Sequence, residues 1–219
     1  EATADLQELL VTNEYHDACI YGHALEGNFH FIISQSFDSP EQVARYEKLM
    51  DEVKTLVVDK YDGSLKAEHG TGRNMAPFVK YEGGERAYGF MKAVKELFDP
   101  KGLLNPGVIF NEDPHCHLKH FKPMPLTNAH VDKCIECGFC EVNCLTCGFS
   151  LSSRQRIVIQ REISRLKKLS DTESSERLKT LQKQYKYLGN ATCAGDGLCS
   201  MSCPMGINVG DLTHDIRQA

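Results

Sequence analysis

The sequence predicts an α+β domain followed by an all-α domain that is rich in metal-ligating side chains. Helix and strand patterns are mixed over residues 1–110, and a proline-containing stretch covers residues 111–129. Eight of the ten cysteines fall between Cys134 and Cys203, in the largely helical remainder at residues 130–219. These three observations predict two domains, residues 1–110 and 130–219, joined by a linker at residues 111–129.

The first domain is predicted to contain three helices and two strands. Residues 3–12 carry leucines at helical spacing, whereas residues 17–21 and 28–36 are rich in the aromatic and β-branched residues of strands. Ser39 and Gln42 form a capping-box pattern around Pro40, which predicts a helix that runs to about residue 58. A further helix is predicted over residues 85–97, ended by the Asp-Pro-Lys-Gly turn. Cys19 precedes an apolar strand and is expected to be buried.

Two helices, over residues 151–169 and 176–188, are predicted between the two groups of cysteines. The first is strongly basic, and we favour a solvated face over a docking surface for an acidic redox partner. Its basic residues are Arg154, Arg156, Arg161, Arg165, Lys167 and Lys168.

Composition narrows the classes of function. A net charge of −5 over 219 residues gives no global attraction to nucleic acid or to anionic lipid. No run of eighteen apolar residues occurs, so no transmembrane segment is expected. The first five residues contain neither an initiator methionine nor a signal peptide, and we expect a fragment, a processed subunit or a partly resolved chain.

The cysteine spacing predicts two iron–sulfur clusters. The first group has C-x2-C-x2-C-x3-C spacing, and the second ends in Cys-Pro. In the bacterial ferredoxin pattern the fourth cysteine of each run binds the other cluster. The first cluster is thus predicted at Cys134, Cys137, Cys140 and Cys203, and the second at Cys144, Cys193 and Cys199 with one further ligand.

That further ligand has three candidate explanations. Asp196 stands where a regular repeat has cysteine and could bind iron through oxygen. The second cluster could instead be 3Fe-4S rather than 4Fe-4S. Cys147 could also supply the missing thiolate, which is the softer ligand. Structural zinc sites are the rival interpretation, but zinc sites favour paired C-x2-4-C units over this dense run. Disulfides are disfavoured because no secretory signal is present.

A second set of candidate ligands lies in the first domain. His23 and His30 flank a turn between two predicted strands, and Glu68 and His69 share a glycine-rich loop. Two imidazoles and one carboxylate make an open site for a divalent cation, and an adjacent histidine suits acid–base chemistry. The alternative is that these histidines are ordinary hydrogen-bonded residues of the fold.

Three sequence strings, GHALEGNFHF, AEHGTGR and FDPKGLLNPGVIF, resemble the C-terminal part of flavin-linked 2-hydroxyacid dehydrogenases of the vanillyl-alcohol oxidase superfamily. The resemblance covers about residues 1–110, and the cysteine region resembles the α-helical ferredoxin module fused to some D-lactate dehydrogenases. It departs from the commonest form at Glu26 and Thr71. It implies that residues 1–110 are part of the substrate-cap domain of an FAD-linked oxidase.

The resemblance also implies roles for individual residues. His23, His30 and Glu68 would hold a divalent metal (zinc, manganese or iron), His69 would be the catalytic base, and Asn105 would lie near the flavin. The implied reaction oxidises a D-2-hydroxy acid to a 2-oxo acid. The metal would acidify the hydroxyl, His69 would take its proton, and the flavin would receive hydride and release electrons singly to the clusters.

The sequence contains no G-x-G-x-x-G motif, so FAD is expected on an N-terminal domain that these residues do not include, in the same enzyme or a partner subunit. D-lactate is favoured because the fused ferredoxin resembles that branch. Quinone, cytochrome c and another iron–sulfur protein are alternative acceptors. The location is expected to be mitochondrial or cytoplasmic, with membrane association only through partners. The alternative functions are a non-catalytic electron-transfer subunit and a zinc-stabilised interaction module.

Overall fold

A computed structural model describes all residues, 1–219, as two compact units, Glu1–Pro123 and Met124–Ala219. The first unit combines helices with a two-stranded antiparallel sheet. The second consists of helices and short helical turns. The predicted α+β class is therefore confirmed. None of the helices has both the length and the apolar character that a membrane crossing requires.

The core of the first unit forms between its first two helices. Helix α1 spans Ala2–Thr12 and helix α2 spans Pro40–Lys54. Leu10 and Leu49 are fully buried in this contact. The face of the sheet that carries Ile20, Phe29 and Phe31 packs against the same core. The Ser39 capping box forms as predicted, with the Gln42 amide donating to the Ser39 hydroxyl. The predicted helix ends at Lys54 and continues as a wider π-helical turn, Thr55–Lys60.

Strands β1, Cys19–His23, and β2, Asn28–Ile32, form a hairpin. Gly27 closes the connection at a φ of 66°, in the left-handed region that favours glycine. The first strand therefore begins two residues later than predicted, and the second is shorter. Cys19 is exposed, against our expectation, because it pairs with Ile32 on a sheet face that this unit leaves uncovered.

Helix α3, Val79–Phe98, includes the predicted helix and extends it by one kinked turn at Gly84. No residue of α3 is buried, and Phe90, Leu97 and Phe98 are each more than 70% exposed. The turn that follows is organised by Asp99, which accepts hydrogen bonds from the Leu103 and Leu104 amides. The helix therefore exposes apolar side chains at the surface of this unit, and Asp99 holds the turn that follows the helix.

Part of the predicted linker packs against the first unit. His117 is buried beside the rings of Phe78 and Tyr46, and Phe121 stacks on Phe37 with ring centroids 4.0 Å apart. The boundary between the compact units lies after Pro123. The proline content of this stretch thus produces an irregular but attached segment over its first half.

The second unit is built from α4, Ser153–Leu166, α5, Thr172–Tyr185, and α6, Val209–Gln218. Val131, Ile157 and Leu212 lie at the centre of its core, which also includes several cysteines. The expected solvated face of α4 is wrong for Arg156 and Arg161, which are 1% and 4% exposed. Both side chains turn inward and donate hydrogen bonds to the loops that carry the cysteines.

Candidate functional sites

The hairpin and a following loop bring His23, His30 and Glu68 together. In the hairpin register His23 pairs with Asn28, so His30 is two residues away on the same face. The Oε1 atom of Glu68 lies 3.2 Å from His23 Nε2 and 3.4 Å from His30 Nε2. The ligand atoms of these three residues all lie within 4.8 Å of one another. Two imidazole nitrogens and one carboxylate oxygen at this spacing can hold a divalent cation and leave positions open for a substrate.

His69 lies beside this group. Its Nε2 atom is 3.3 Å from the same Glu68 oxygen, and its ring stacks on that of His30 with centroids 4.7 Å apart. The side chain is 73% exposed. This imidazole is therefore next to the candidate metal ligands and accessible to a molecule that approaches them.

Asn28 supports Glu68 and was not singled out by the sequence analysis. Its Nδ2 atom donates to Glu68 Oε2 at 3.4 Å, while its own Oδ1 is buried without a partner. Desolvation opposes ionisation of Glu68, but the charges of His23 and His30 and the hydrogen bonds from Asn28 and His23 lower its pKa overall. The hairpin register, which pairs position 28 with His23, was the available signal.

The loop that carries Glu68 and His69 is tied to the segment that carries Asn105. Arg73 Nη2 donates to the Pro106 carbonyl at 3.3 Å, and the Ile109 amide donates to the Gly72 carbonyl at 3.0 Å. Asn105 has a φ of 45° and is exposed. One side-chain and one backbone hydrogen bond thus join these two motifs, and neither involves the Asn105 side chain.

The first four predicted cluster ligands surround one small cavity in the second unit. This cavity is lined by Cys134, Cys137, Cys140 and Cys203, together with Arg154 and mostly apolar residues. The Glu136 amide donates to Cys134 Sγ at 3.3 Å. Burial raises the pKa of both Cys134 and Cys140 as free thiols. Four soft sulfur donors around one apolar cavity fit an iron–sulfur cluster.

A separate cavity is lined by Cys144, Cys193 and Cys199, and Asp196 lies on its wall. The Val209 amide donates to Cys199 Sγ at 3.4 Å. Asp196 is exposed and accepts a hydrogen bond from the Leu198 amide. Cys147 is exposed and does not line this cavity. Three thiols and one nearby carboxylate fit a cluster with incomplete cysteine ligation.

The buried side chain of Arg156 adjoins the second cavity, although the basic pattern of its helix predicts a position at the surface. Arg156 Nη1 lies 3.7 Å from Cys144 Sγ. Burial tends to raise the pKa of the Cys144 thiol, but hydrogen bonds from Thr146 and nearby backbone, with the charge of Arg156, lower it overall. These contacts therefore make the Cys144 thiol easier to ionise than an ordinary cysteine. The sequence signal for this contact between Cys144 and Arg156 is the basic helix that begins nine residues after Cys144, at Ser153.

Two protein families match this chain, one over the part that carries the histidine group and one over the part that carries the two cysteine-lined cavities. Residues 1–109 match the C-terminal domain of FAD linked oxidases. Residues 130–207 match a 4Fe-4S dicluster domain. No solved structure gave a significant match.

Curated relatives align with about half of this chain. The glycolate oxidase subunit GlcD of Bacillus subtilis is 32% identical over 95 residues, which cover 43% of this chain and 20% of the relative. The D-2-hydroxyglutarate dehydrogenase of Stutzerimonas stutzeri is 36% identical over 107 residues, covering 47% and 23%. The mitochondrial D-lactate dehydrogenase (cytochrome) 1 of Saccharomyces cerevisiae is 31% identical over 115 residues, covering 52% and 18%. The chain therefore spans about a fifth of the length of these relatives.

Proposed function

Because this chain joins the C-terminal domain of the FAD linked oxidases to a 4Fe-4S dicluster domain, we propose that it is part of an enzyme that oxidises a D-2-hydroxy acid to the 2-oxo acid and passes the electrons out through iron–sulfur clusters. One observation carries the proposal. A single oxygen of Glu68 faces the Nε2 atoms of three histidines, two of which form with it an open metal site. This combination of a Lewis-acid site and an adjacent imidazole suits the activation of a hydroxyl group.

His23, His30 and Glu68 would hold a divalent cation, and their mixed nitrogen and oxygen donors suit zinc, manganese or iron. When bound, the cation supplies Lewis-acid polarisation of the substrate hydroxyl. Asn28 fixes the second oxygen of Glu68, so that the first points at the histidines. The chain's contribution is thus a prearranged set of donors on a short hairpin and one loop.

His69 would act as the general base at its Nε2 atom. Positive charge gained there is stabilised by the Glu68 carboxylate 3.3 Å away. Stacking on His30 limits the orientations of the ring. An exposed imidazole held beside a metal site can therefore receive a proton from a bound hydroxyl.

FAD would be held outside these residues, on another part of the enzyme or on a partner subunit. When bound, FAD supplies the hydride acceptor. Helix α3 supports this division because Phe90, Leu97 and Phe98 form exposed apolar surface that another domain would cover. Asn105, in the segment after α3, is proposed to lie near that flavin.

The electrons would leave through two clusters, one in each cysteine-lined cavity. D-lactate is our favoured substrate, and D-2-hydroxyglutarate and glycolate are alternatives suggested by the names of relatives. A quinone, a cytochrome c or another iron–sulfur protein would accept the electrons. Four relatives carry mitochondrial names, which supports a mitochondrial location over a cytoplasmic one.

Anaerobic flavin bleaching tests this function in the complete enzyme, with its FAD-binding part present. Each of D-lactate, D-2-hydroxyglutarate and glycolate is mixed with the oxidised enzyme, and flavin absorbance is followed in a stopped-flow instrument. We expect D-lactate to reduce the flavin fastest and a chelator-treated enzyme to lose this reaction. Flavin that none of the three acids reduces, in an enzyme with intact clusters, would support a non-catalytic electron-transfer subunit instead.

A further inference from the structure

Arg156 is the largest fully buried side chain in the protein, at 1% exposure. Its Nε atom donates to the Gly189 carbonyl at 2.6 Å, and its Nη2 atom donates to the hydroxyls of Thr146 and Thr192, both at 3.0 Å. Its remaining partner is Cys144 Sγ, 3.7 Å from Nη1. These partners are a carbonyl, two hydroxyls and a sulfur, and no carboxylate is among them.

A guanidinium cannot lose its proton inside a protein, so this charge is present at every accessible pH. A buried charge without a counter-ion is strongly unfavourable. The anion that can balance Arg156 is the group bound at the adjacent cavity, which Cys144, Cys193 and Cys199 line. The contact with Cys144 Sγ places the guanidinium of Arg156 beside that cavity.

The first cavity is built differently, although the same helix serves it. Arg161 is also buried, but its Nη1 atom pairs with the Glu136 carboxylate at 2.7 Å. Its Nη2 atom donates to the carbonyl oxygens of Asp132 and Cys134. The charge of Arg161 is therefore balanced within the protein, and it positions the Cys134 loop without adding net charge. Arg154, which also lines the first cavity, is likewise balanced by the Glu141 carboxylate at 3.1 Å.

The two cavities also differ in the residues that can bind a cluster. Four cysteines line the first cavity and three line the second, where Asp196 lies on the wall. A carboxylate has the same charge as a thiolate, so this difference in ligands does not by itself change the net charge of the bound cluster. The reduction potential of an iron–sulfur cluster depends on its net charge and on the hydrogen bonds to its sulfurs. The unbalanced charge of Arg156, 3.7 Å from Cys144 Sγ, therefore makes the second cluster easier to reduce.

We propose that Arg156 is a positioning and charge-balancing residue that gives the cluster at Cys144, Cys193 and Cys199 the higher reduction potential of the two. One electron leaves the reduced first cluster and reduces the second, where it remains until the external acceptor removes it. This inference rests on the two-cluster part of the proposed function and is independent of the hydroxy-acid chemistry.

The test is an anaerobic redox titration of the cluster-loaded protein, followed by electron paramagnetic resonance. Cys199→Ser identifies which signal belongs to the second cluster. In the unaltered protein we expect the second cluster to be reduced first. In Arg156→Gln its midpoint should move to a more negative potential while that of the first cluster stays in place. Arg156→Lys, which keeps the charge, should restore most of the difference.

Arg165→Gln is the matched control, because Arg165 lies on the same helix and pairs with Glu162 away from both cavities. Its two midpoints should equal those of the unaltered protein. Unchanged midpoints in Arg156→Gln with full iron content would overturn the proposal. If Arg156→Gln loses the second cluster, the order of reduction in the unaltered protein decides, and reduction of the first cluster before the second would overturn it. Absence of both clusters would instead refute the two-cluster function.

Discussion

His30 and His69 are stacked, with ring centroids 4.7 Å apart and ring planes 26° from parallel. One is a candidate metal ligand and the other the candidate base, so the two roles share one packed pair. His30 is shielded, at 15% exposure, whereas His69 is 73% exposed. The exposed imidazole of His69 is thus stacked on the shielded imidazole of His30. Substitution of His69 should affect proton transfer, whereas substitution of His30 should affect metal binding.

We expect His69→Gln to slow substrate-dependent flavin reduction about 10²- to 10⁴-fold, the usual contribution of a general base. The metal content and the cluster absorbance should stay unchanged because His69 lies outside the three-ligand group. Stopped-flow flavin reduction and elemental analysis measure both properties. His16→Gln, at an exposed position outside the site, is the matched control. Normal flavin reduction in His69→Gln would remove the catalytic role from this residue.

Loss of a ligand should lower the metal content directly. We expect Glu68→Gln and His23→Ala to bind the divalent cation poorly, because each removes one of three donors. Asn28→Ala should weaken metal binding about 10- to 100-fold, the usual effect of losing a residue that orients a ligand. Isothermal titration with zinc or manganese measures these affinities. Equal affinity in Glu68→Gln and the unaltered protein would contradict the predicted site.

Cys147 and Cys199 should respond differently to replacement by serine. Cys199 lines the second cavity, so Cys199→Ser should lose or convert the second cluster. Cys147 is exposed and lies off that cavity, so Cys147→Ser should keep the full iron and sulfide content. Iron and sulfide assays after anaerobic purification measure this. A Cys147→Ser protein that lacks one cluster would show that Cys147 moves in to supply the missing ligand.

Asp99 should make the turn after α3 sensitive to acid. The hydrogen bond from Lys95, together with those from the Leu104 and Leu103 amides, lowers the pKa of Asp99 from 3.8 to about 2. A depressed folded-state pKa stabilises the protein above the unfolded-state value, and this stabilisation is lost as pH falls from about 3.8 towards 2. We therefore expect Asp99→Asn to lower the melting temperature at pH 7 and to have a much smaller effect near pH 2. An equal decrease at both pH values would contradict this assignment.

Arg161→Met should destabilise the second unit by about 3–5 kcal/mol, the cost of breaking a buried ion pair by removing one partner. Arg161 and Glu136 are 5% and 7% exposed, so the Glu136 carboxylate would lose this cation in a desolvated position. Arg165→Met is the control, because its more exposed pair with Glu162 should contribute at most about 1 kcal/mol. Chemical denaturation of the cluster-loaded protein measures both changes. Similar losses in the two variants would argue against the buried pair.

The sequence predicted features that depend on nearby residues. The Ser39 capping box and α1 follow from short-range patterns, and the structure has both. The division of seven cysteines between two cavities follows from spacing, and the structure groups their side chains in the same way.

Features set by tertiary packing could not be predicted. Arg156 and Arg154 look alike in a basic helix, yet only the packing of Gly189 and the threonines decides which one is buried. The same limit applies to Asn28, whose contact with Glu68 joins residues 40 positions apart. The exposure of Cys19 depends on which face of the sheet other elements cover, which no local pattern specifies.

Helix α4 carries Arg156 and Arg161 five residues apart, and each serves a different cavity. An α-helix rises about 1.5 Å and turns by about 100° per residue. The two residues are therefore roughly 7.5 Å apart along the helix axis, and their side chains point in different directions. One residue inserted or deleted between them would rotate one arginine away from its loop. We therefore expect homologues to keep a fixed number of residues between positions 156 and 161.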